Sequence, residues 1–153
     1  MIIHIDSREN KNAKIIEHFN SVNQQYIVSK CYAGDYINLN DHSIIIDLKQ
    51  SHGDGIAELC ANLTRTVEHE RFKREIARAK EIGCKKFYIL IVSSKITKLE
   101  DVNQWINRRG QVKPETLQKI MTTFRNKYKV NYVFCKKKDA GKRIIELLNK
   151  DKQ

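Results

Sequence analysis

Residues 87–92 read Phe-Tyr-Ile-Leu-Ile-Val, a continuous apolar run with no charge and no breaker inside it. Six residues are too few for a membrane span, and the run is rich in β-branched and aromatic side chains. It therefore predicts a strand that is apolar on both faces. Such a strand belongs in the interior of a sheet, with helices covering both sides. The surrounding pattern supplies those helices, so the expected class is α/β, a sandwich around a central mixed sheet.

The other elements follow from local periodicity. Residues 2–6 (IIHID) alternate as a half-buried strand does, and residues 11–23 place Ile15, Ile16 and Phe19 at helical spacing. A short strand is expected over 26–31, then strands over 36–39 and 43–48 around the polar turn Asn40-Asp41-His42. His52-Gly53-Asp54-Gly55 breaks the pattern. A helical stretch then runs over 56–82, interrupted near 64–68 and closed by Gly83. Residues 95–110 are polar apart from Trp105 and Ile106 and receive no element. Pro114 opens a helix to about residue 128, followed by a strand over 130–135 and a helix over 139–148.

At 153 residues, without a repeat or linker, the chain is expected to form a single domain over 1–153. No apolar run approaches the roughly 18 residues of a membrane span. The amino terminus reads as a strand rather than a signal peptide. No pair among Cys31, Cys60, Cys84 and Cys135 has zinc-ribbon or CxxC spacing, and their apolar neighbours suggest buried, reduced thiols. These features lead us to expect a cytoplasmic protein with no membrane partner.

Charge separates the chain into two parts. The net charge is +11, yet residues 1–103 carry 15 basic and 14 acidic side chains while residues 104–153 carry 14 and 4. A basic last third beside a neutral scaffold suggests a polyanion-binding surface, with nucleic acid as the leading partner. An anionic membrane surface competes, but no amphipathic helix with large exposed apolar residues stands out.

The acids of the strands carry the chemistry. Along residues 44–49, Ile44, Ile46 and Leu48 face one way, and Ile45, Asp47 and Lys49 the other. Asp35 precedes the strand expected to pair with this one, so hairpin pairing could set it beside Asp47. Two converging carboxylates repel each other, and a divalent cation is the usual remedy. A lysine alongside could orient or deprotonate an attacking water, or neutralise charge on a phosphate. Together these would suit metal-assisted phosphodiester hydrolysis. Asp and Lys two residues apart are also a common solvated ion pair of little energetic weight, and the spacing alone leaves both readings open.

Three segments in order, Ile5-Asp6-Ser7-Arg8-Glu9, Gly34-Asp35-Tyr36 and Ile44-Ile45-Ile46-Asp47-Leu48-Lys49, resemble the nuclease domain of the XPF family. That family belongs to the PD-(D/E)XK group of metal-dependent nucleases. Its pattern is V-D-x-R-E, then G-D-Y, then a hydrophobic run ending in E-R-K. A helix with an R-L-x-x-Q motif follows, and Arg71-Phe72-Lys73-Arg74-Glu75 is similar to it. The element order agrees over most of residues 2–148. Asp47 stands for the family's usual Glu and Leu48 for its Arg; the wider group accepts either acid.

The resemblance implies a restriction-endonuclease-like fold and a DNA endonuclease. Asp35 and Asp47 would ligate Mg2+ or Mn2+, and Lys49 would be the catalytic lysine. Asp6 and Glu9 would line the same site, with Arg8 at its edge contacting phosphate or holding a carboxylate. Arg71 and Glu75 would support the site from the helix. Without the resemblance, Asp6, Arg8 and Glu9 read equally as a helix cap with solvated neighbours. The resemblance further implies branched or flapped DNA from recombination or repair as substrate, a homodimer, and a bacterial or phage-infected cell as setting. The tandem helix-hairpin-helix domain common in eukaryotic and archaeal members is not expected here. A catalytically inactive DNA-binding scaffold of the same fold is the alternative.

The basic third offers DNA contacts. Arg108 and Arg109 beside Trp105 could touch backbone or an unstacked base, unless Trp105 is anchored in the core. Lys136, Lys137 and Lys138 could contact phosphate or form a solvated turn. His42 and His52 are expected at the surface. His69, two residues before Arg71, is the one histidine placed to assist protonation of a leaving group.

Overall fold

The computed structural model describes residues 1–150. Residues 151–153, the end of the basic segment 104–153 and of the expected domain, lie outside them. The chain forms β1 (Ile3–Asp6), α1 (Ala13–Ser21), β2 (Tyr26–Ser29), β3 (Tyr36–Asn38), β4 (Asp41–Lys49), α2 (Gly55–Thr64), α3 (Thr66–Glu81), β5 (Lys86–Val92), α4 (Pro114–Tyr128), β6 (Val130–Cys135) and α5 (Ala140–Leu148).

Among the described residues the strands make one six-stranded sheet in the order β2-β1-β3-β4-β5-β6. Pairs β1–β2, β4–β5 and β5–β6 are parallel; β1–β3 and β3–β4 are antiparallel. The sheet is mixed, as expected, and the apolar run is its fifth strand, inside the sheet between β4 and β6. Alternate residues of that strand serve opposite layers. Phe87, Ile89 and Ile91 join a core with Leu59 and Leu63 of α2, Phe72 and Ile76 of α3, and Leu117 and Met121 of α4. Tyr88, Leu90 and Val92 join a second core with Ile15 and Phe19 of α1 and Ile144 and Leu147 of α5. Helices on both faces cover a sheet whose central strands have no polar side to show to water.

The interruption expected near 64–68 is present, and two other boundaries differ from expectation for local reasons. The stretch 56–82 is two helices, split at Arg65, whose backbone is extended (φ −92°, ψ 130°). The break lets each half turn its own apolar stripe onto the sheet. The expected Asn40-Asp41-His42 turn is tighter, because Asp41 and His42 already belong to β4 and Asn38 Oδ1 accepts from Asn40 N at 3.1 Å. Residues 95–110 contain a 3-10 turn, Leu99–Gln104, that buries Leu99, Val102 and Trp105. Cys31 and Cys60 are buried, Cys84 and Cys135 half-buried, and all four are free thiols. Among the described residues no helix is long and apolar enough to cross a membrane.

Candidate active site

The strand period puts Ile45, Asp47 and Lys49 of β4 on the face covered by α2, α3 and α4. Ile45 is core there, and Asp47 and Lys49 are only 4% and 5% exposed. Lys49 Nζ is ion-paired with Asp47 Oδ2 at 2.9 Å and lies 3.8 Å from Glu58 Oε2 on α2. Tyr36 pairs with Ile46 and Ile37 with Ile45, so the register carried one residue further sets Asp35 opposite Asp47. Asp35 is fixed there by its own backbone. Its N–H donates to Ile46 O at 2.8 Å and its carbonyl accepts from Asp6 N at 2.9 Å. Its Oδ2 accepts from Leu48 N at 2.7 Å.

Gly34 explains why a glycine precedes this aspartate. Its φ is +76°, and a Cβ there would overlap Cγ2 of Ile45. Only glycine allows the chain to approach β4 this closely in that conformation. Its N–H donates to Glu75 Oε1 at 3.0 Å, tying the Gly34-Asp35 corner to α3. Glu9 completes the group, its charge acting on Asp35.

The acids disturb one another strongly. Burial, then the charges of Asp47, Glu9 and Glu75, hold Asp35 well above the usual carboxylate range. Asp47 is also raised by burial, although Lys49 opposes the shift. Burial followed by Asp47 and Glu58 pushes Glu9 up to about 7, and burial followed by Asp47 does the same for Glu75. Lys49 responds in the other sense. Burial works against its charge, but Asp47 and Glu58 outweigh it and hold the ammonium above the ordinary lysine value. Lys49 is thus a fixed cation at neutral pH, fitted to neutralise or orient rather than to accept a proton.

The donor set fits a hard divalent cation. Asp35 and Asp47 bring carboxylate oxygens to facing strand positions, and the charge of Asp47 acts on Asp35, a repulsion that such an ion would relieve. Among the described residues no three acidic, histidine or cysteine side chains already close around one point. Mg2+ commonly takes one or two carboxylates and completes its shell with water and substrate oxygens, so an incomplete protein cage is compatible with it.

The remaining expectations divide. Asp6 is buried, but its oxygens accept from Arg8 Nε at 3.0 Å and Cys31 N at 2.9 Å, so its carboxylate is occupied in tying β1 to residue 31. Arg8 also donates to Cys31 O at 3.2 Å, so of its two expected roles it performs the holding of a carboxylate. Glu75 supports the corner as described. Arg71 is exposed on α3, with no hydrogen bond or ion pair to the acids among the described residues. His69 packs edge-on against Phe124 at 6.1 Å and makes no hydrogen bond or ion pair to the carboxylates among the described residues. His42 and His52 are exposed.

Trp105 is buried, and its Nε1 donates to Asp54 Oδ2 at 3.1 Å, so the indole does not offer a stacking face at the surface. Arg108 and Arg109 next to it are exposed, as are Lys136, Lys137 and Lys138 between β6 and α5. Two residues near the site were not anticipated. Glu58 accepts from Gln50 N at 3.1 Å and Ser51 N at 3.0 Å while facing Lys49. An acid in the first turn of the helix after the Asp-Leu-Lys strand is the signal that could have marked it. Phe72, under Lys49, resembled ordinary core and had no such signal.

A family model described as the ERCC4 domain matches residues 5–148. Among solved structures, XPF from Aeropyrum pernix superposes with a TM-score of 0.71 at 18% identity, over 100% of this chain and 66% of that one. The same archaeal protein in complex with DNA gives 0.68 at 18% identity, over 99% and 64%. The chain thus spans a little under two thirds of the length of those proteins. No curated protein sequence matches it.

Proposed function

The chain belongs to the ERCC4 domain family, and from that premise we propose that it is a metal-dependent endodeoxyribonuclease hydrolysing phosphodiester bonds. The observation that carries the reading is Asp35 set opposite Asp47 in register, with Lys49 two residues along the same face. Mg2+ or Mn2+ held by Asp35 and Asp47 would supply Lewis-acid chemistry, polarising a phosphoryl oxygen and favouring hydroxide at neutral pH.

The chain's own residues do the rest. Lys49, kept charged by Asp47 and Glu58, would neutralise charge developing at the phosphate and orient the attacking water. Glu58 clamps the strand-to-helix corner through the N–H groups of Gln50 and Ser51, so the lysine is held from both ends. Glu75 braces the Gly34-Asp35 corner from α3, and Glu9, just past β1, adds its charge to the cluster. The exposed cations of the last third would hold DNA backbone, making binding fall with salt.

Branched or flapped DNA from recombination or repair is the substrate we infer, from family membership, together with a homodimer. Retention of Asp35, Asp47 and Lys49 together weighs against an inactive scaffold. The test is cleavage of labelled flap, fork, four-way junction and linear duplex DNA with Mg2+, Mn2+ or EDTA, alongside Asp47→Ala and Lys49→Ala. Metal-dependent cutting of branched substrates, lost in both variants, is expected. Binding without cutting in either metal would overturn the nuclease reading in favour of the scaffold.

A further inference from the structure

Strands β4, β5 and β6 are parallel, so their carboxyl ends lie at one end of the sheet. At that end a cleft of about 840 Å³ runs between the Ser51–Gly53 turn and α2 on one side, and residues 93–96 and 104–112 on the other. Glu58 lines it and lies 3.8 Å from the buried Lys49 Nζ, so this one side chain separates the cleft from the acid cluster.

The lining is cationic in a particular way. Arg65, Lys95, Arg108 and Arg109 all contribute to it, and among the described residues none of the four has an ion-pair partner. The two acids of the lining are already engaged. Asp54 caps α2 through Ala57 N at 3.2 Å and holds Trp105 Nε1, while Glu58 holds the N–H groups of Gln50 and Ser51. What remains free is positive charge, with the amides of Asn62, Gln104 and Gln111 between. The arginine-bearing wall is also built. Asn107 Oδ1 accepts from Arg109 N at 3.2 Å and Gly110 N at 3.0 Å, and its Nδ2 donates to Val112 O at 2.9 Å. Trp105 anchors the start of that wall in the core.

The volume falls in the roughly 300–1,000 Å³ range of ligand clefts. A positively charged groove that tracks one phosphate backbone is the way single strands are held without sequence preference. We propose that this cleft binds an unpaired DNA strand and leads it to the Asp35–Asp47–Lys49 site. This assignment rests on the nuclease reading above and names the part of the substrate that the site grips. Lys136, Lys137 and Lys138 lie outside the cleft, where a duplex arm can reach them.

The experiment is fluorescence anisotropy in EDTA, where nothing is cut, using labelled oligothymidylate and a hairpin duplex over a salt series. Arg108→Glu/Arg109→Glu is expected to weaken single-strand binding about tenfold or more and to reduce the slope of log K against log salt by about 1.4, about 0.7 per lost phosphate contact. Its effect on the duplex should be several times smaller. Lys136→Glu/Lys137→Glu should show the reverse preference. Equal losses on both probes, or no loss on the single strand, would overturn the cleft. If the charge reversal lowers the melting temperature, Arg108→Gln/Arg109→Gln is read instead, with the same direction required. The nuclease reading is scored separately by cutting with Mg2+ or Mn2+. Selective single-strand binding without cutting would retain the cleft and remove the nuclease; cutting without selective loss would do the opposite.

Discussion

Lys49 Nζ lies 4.5 Å from the centroid of the Phe72 ring. Beneath it Phe72 stacks on Phe124, with centroids 5.5 Å apart and 6° between planes. The candidate catalytic lysine is therefore held by two carboxylates from the side and an aromatic face from below. A desolvated cation over a ring is worth about 1–2 kcal/mol. Phe72→Leu is expected to slow cleavage about tenfold at saturating DNA, with little change in KM. Phe124→Leu loses the stack but not the cation contact and should lower only the melting temperature. Equal rates in the two variants would remove Phe72 from the positioning of Lys49.

Stability without metal should fall as pH rises. Glu9 and Glu75 both titrate near 7 in the folded chain, above their ordinary 4.5, and Asp35 is held well above its own ordinary value. Between pH 4.5 and 7 the folded state therefore binds more protons than the unfolded one, and stability declines across that window. Melting in EDTA from pH 5 to 8 measures it. Mg2+ should flatten the decline by relieving the same repulsion, and a melting temperature rising with pH in EDTA would contradict the cluster.

Removing one of the repelling acids should separate folding from chemistry. Asp35→Asn keeps an oxygen to accept from Leu48 N while deleting the charge that opposes Asp47 and Glu9. The variant is expected to melt no lower than the parent in EDTA, to lose its response to Mg2+, and to cut nothing. A large fall in melting temperature would mean that the carboxylate of Asp35 is a structural group.

Gly34→Ala should harm the site through the backbone. A non-glycine residue at φ +76° costs about 1–3 kcal/mol, and its Cβ meets Ile45 besides. At about 2–4 °C per kcal/mol for a chain of this size, a drop of several degrees is expected. Stabilisation by Mg2+ should weaken too, because Asp35 is the next residue.

Trp105 is the only tryptophan, which makes its bond to Asp54 directly observable. Asp54→Ala removes that acceptor and the cap of α2, at a cost of about 1 kcal/mol. A red shift in fluorescence and weaker single-strand binding are expected together, since the wall bearing Arg108 and Arg109 starts at Trp105. Asp54→Asn should retain most of both properties.

Much of this arrangement is legible locally. A strand alternates with period two wherever it lies, so Ile45, Asp47 and Lys49 share a face before any tertiary contact is known. The hairpin that brings Asp35 to Asp47 spans only twelve residues, and the break at Arg65 falls within the interruption expected near 64–68. The roles of Asp6 and Arg71 were less legible. Each lies in a motif that resembles the family's, yet Asp6 is taken up by Arg8 and a backbone N–H 25 residues away, and Arg71 projects from α3 into solvent.

The amino-acid sequence by itself determined the α/β class, the strand face carrying the acid and the lysine, and the basic last third. Each depends on periodicity or counting along a short stretch. Only the tertiary structure decided which charged groups are free and which are engaged. That choice is made where α2, α3 and residues 104–112 close over the carboxyl ends of the sheet. Low-dielectric burial there turns small differences in position into large differences in pairing, bringing Glu58 and Phe72 to Lys49 and anchoring Trp105 at Asp54.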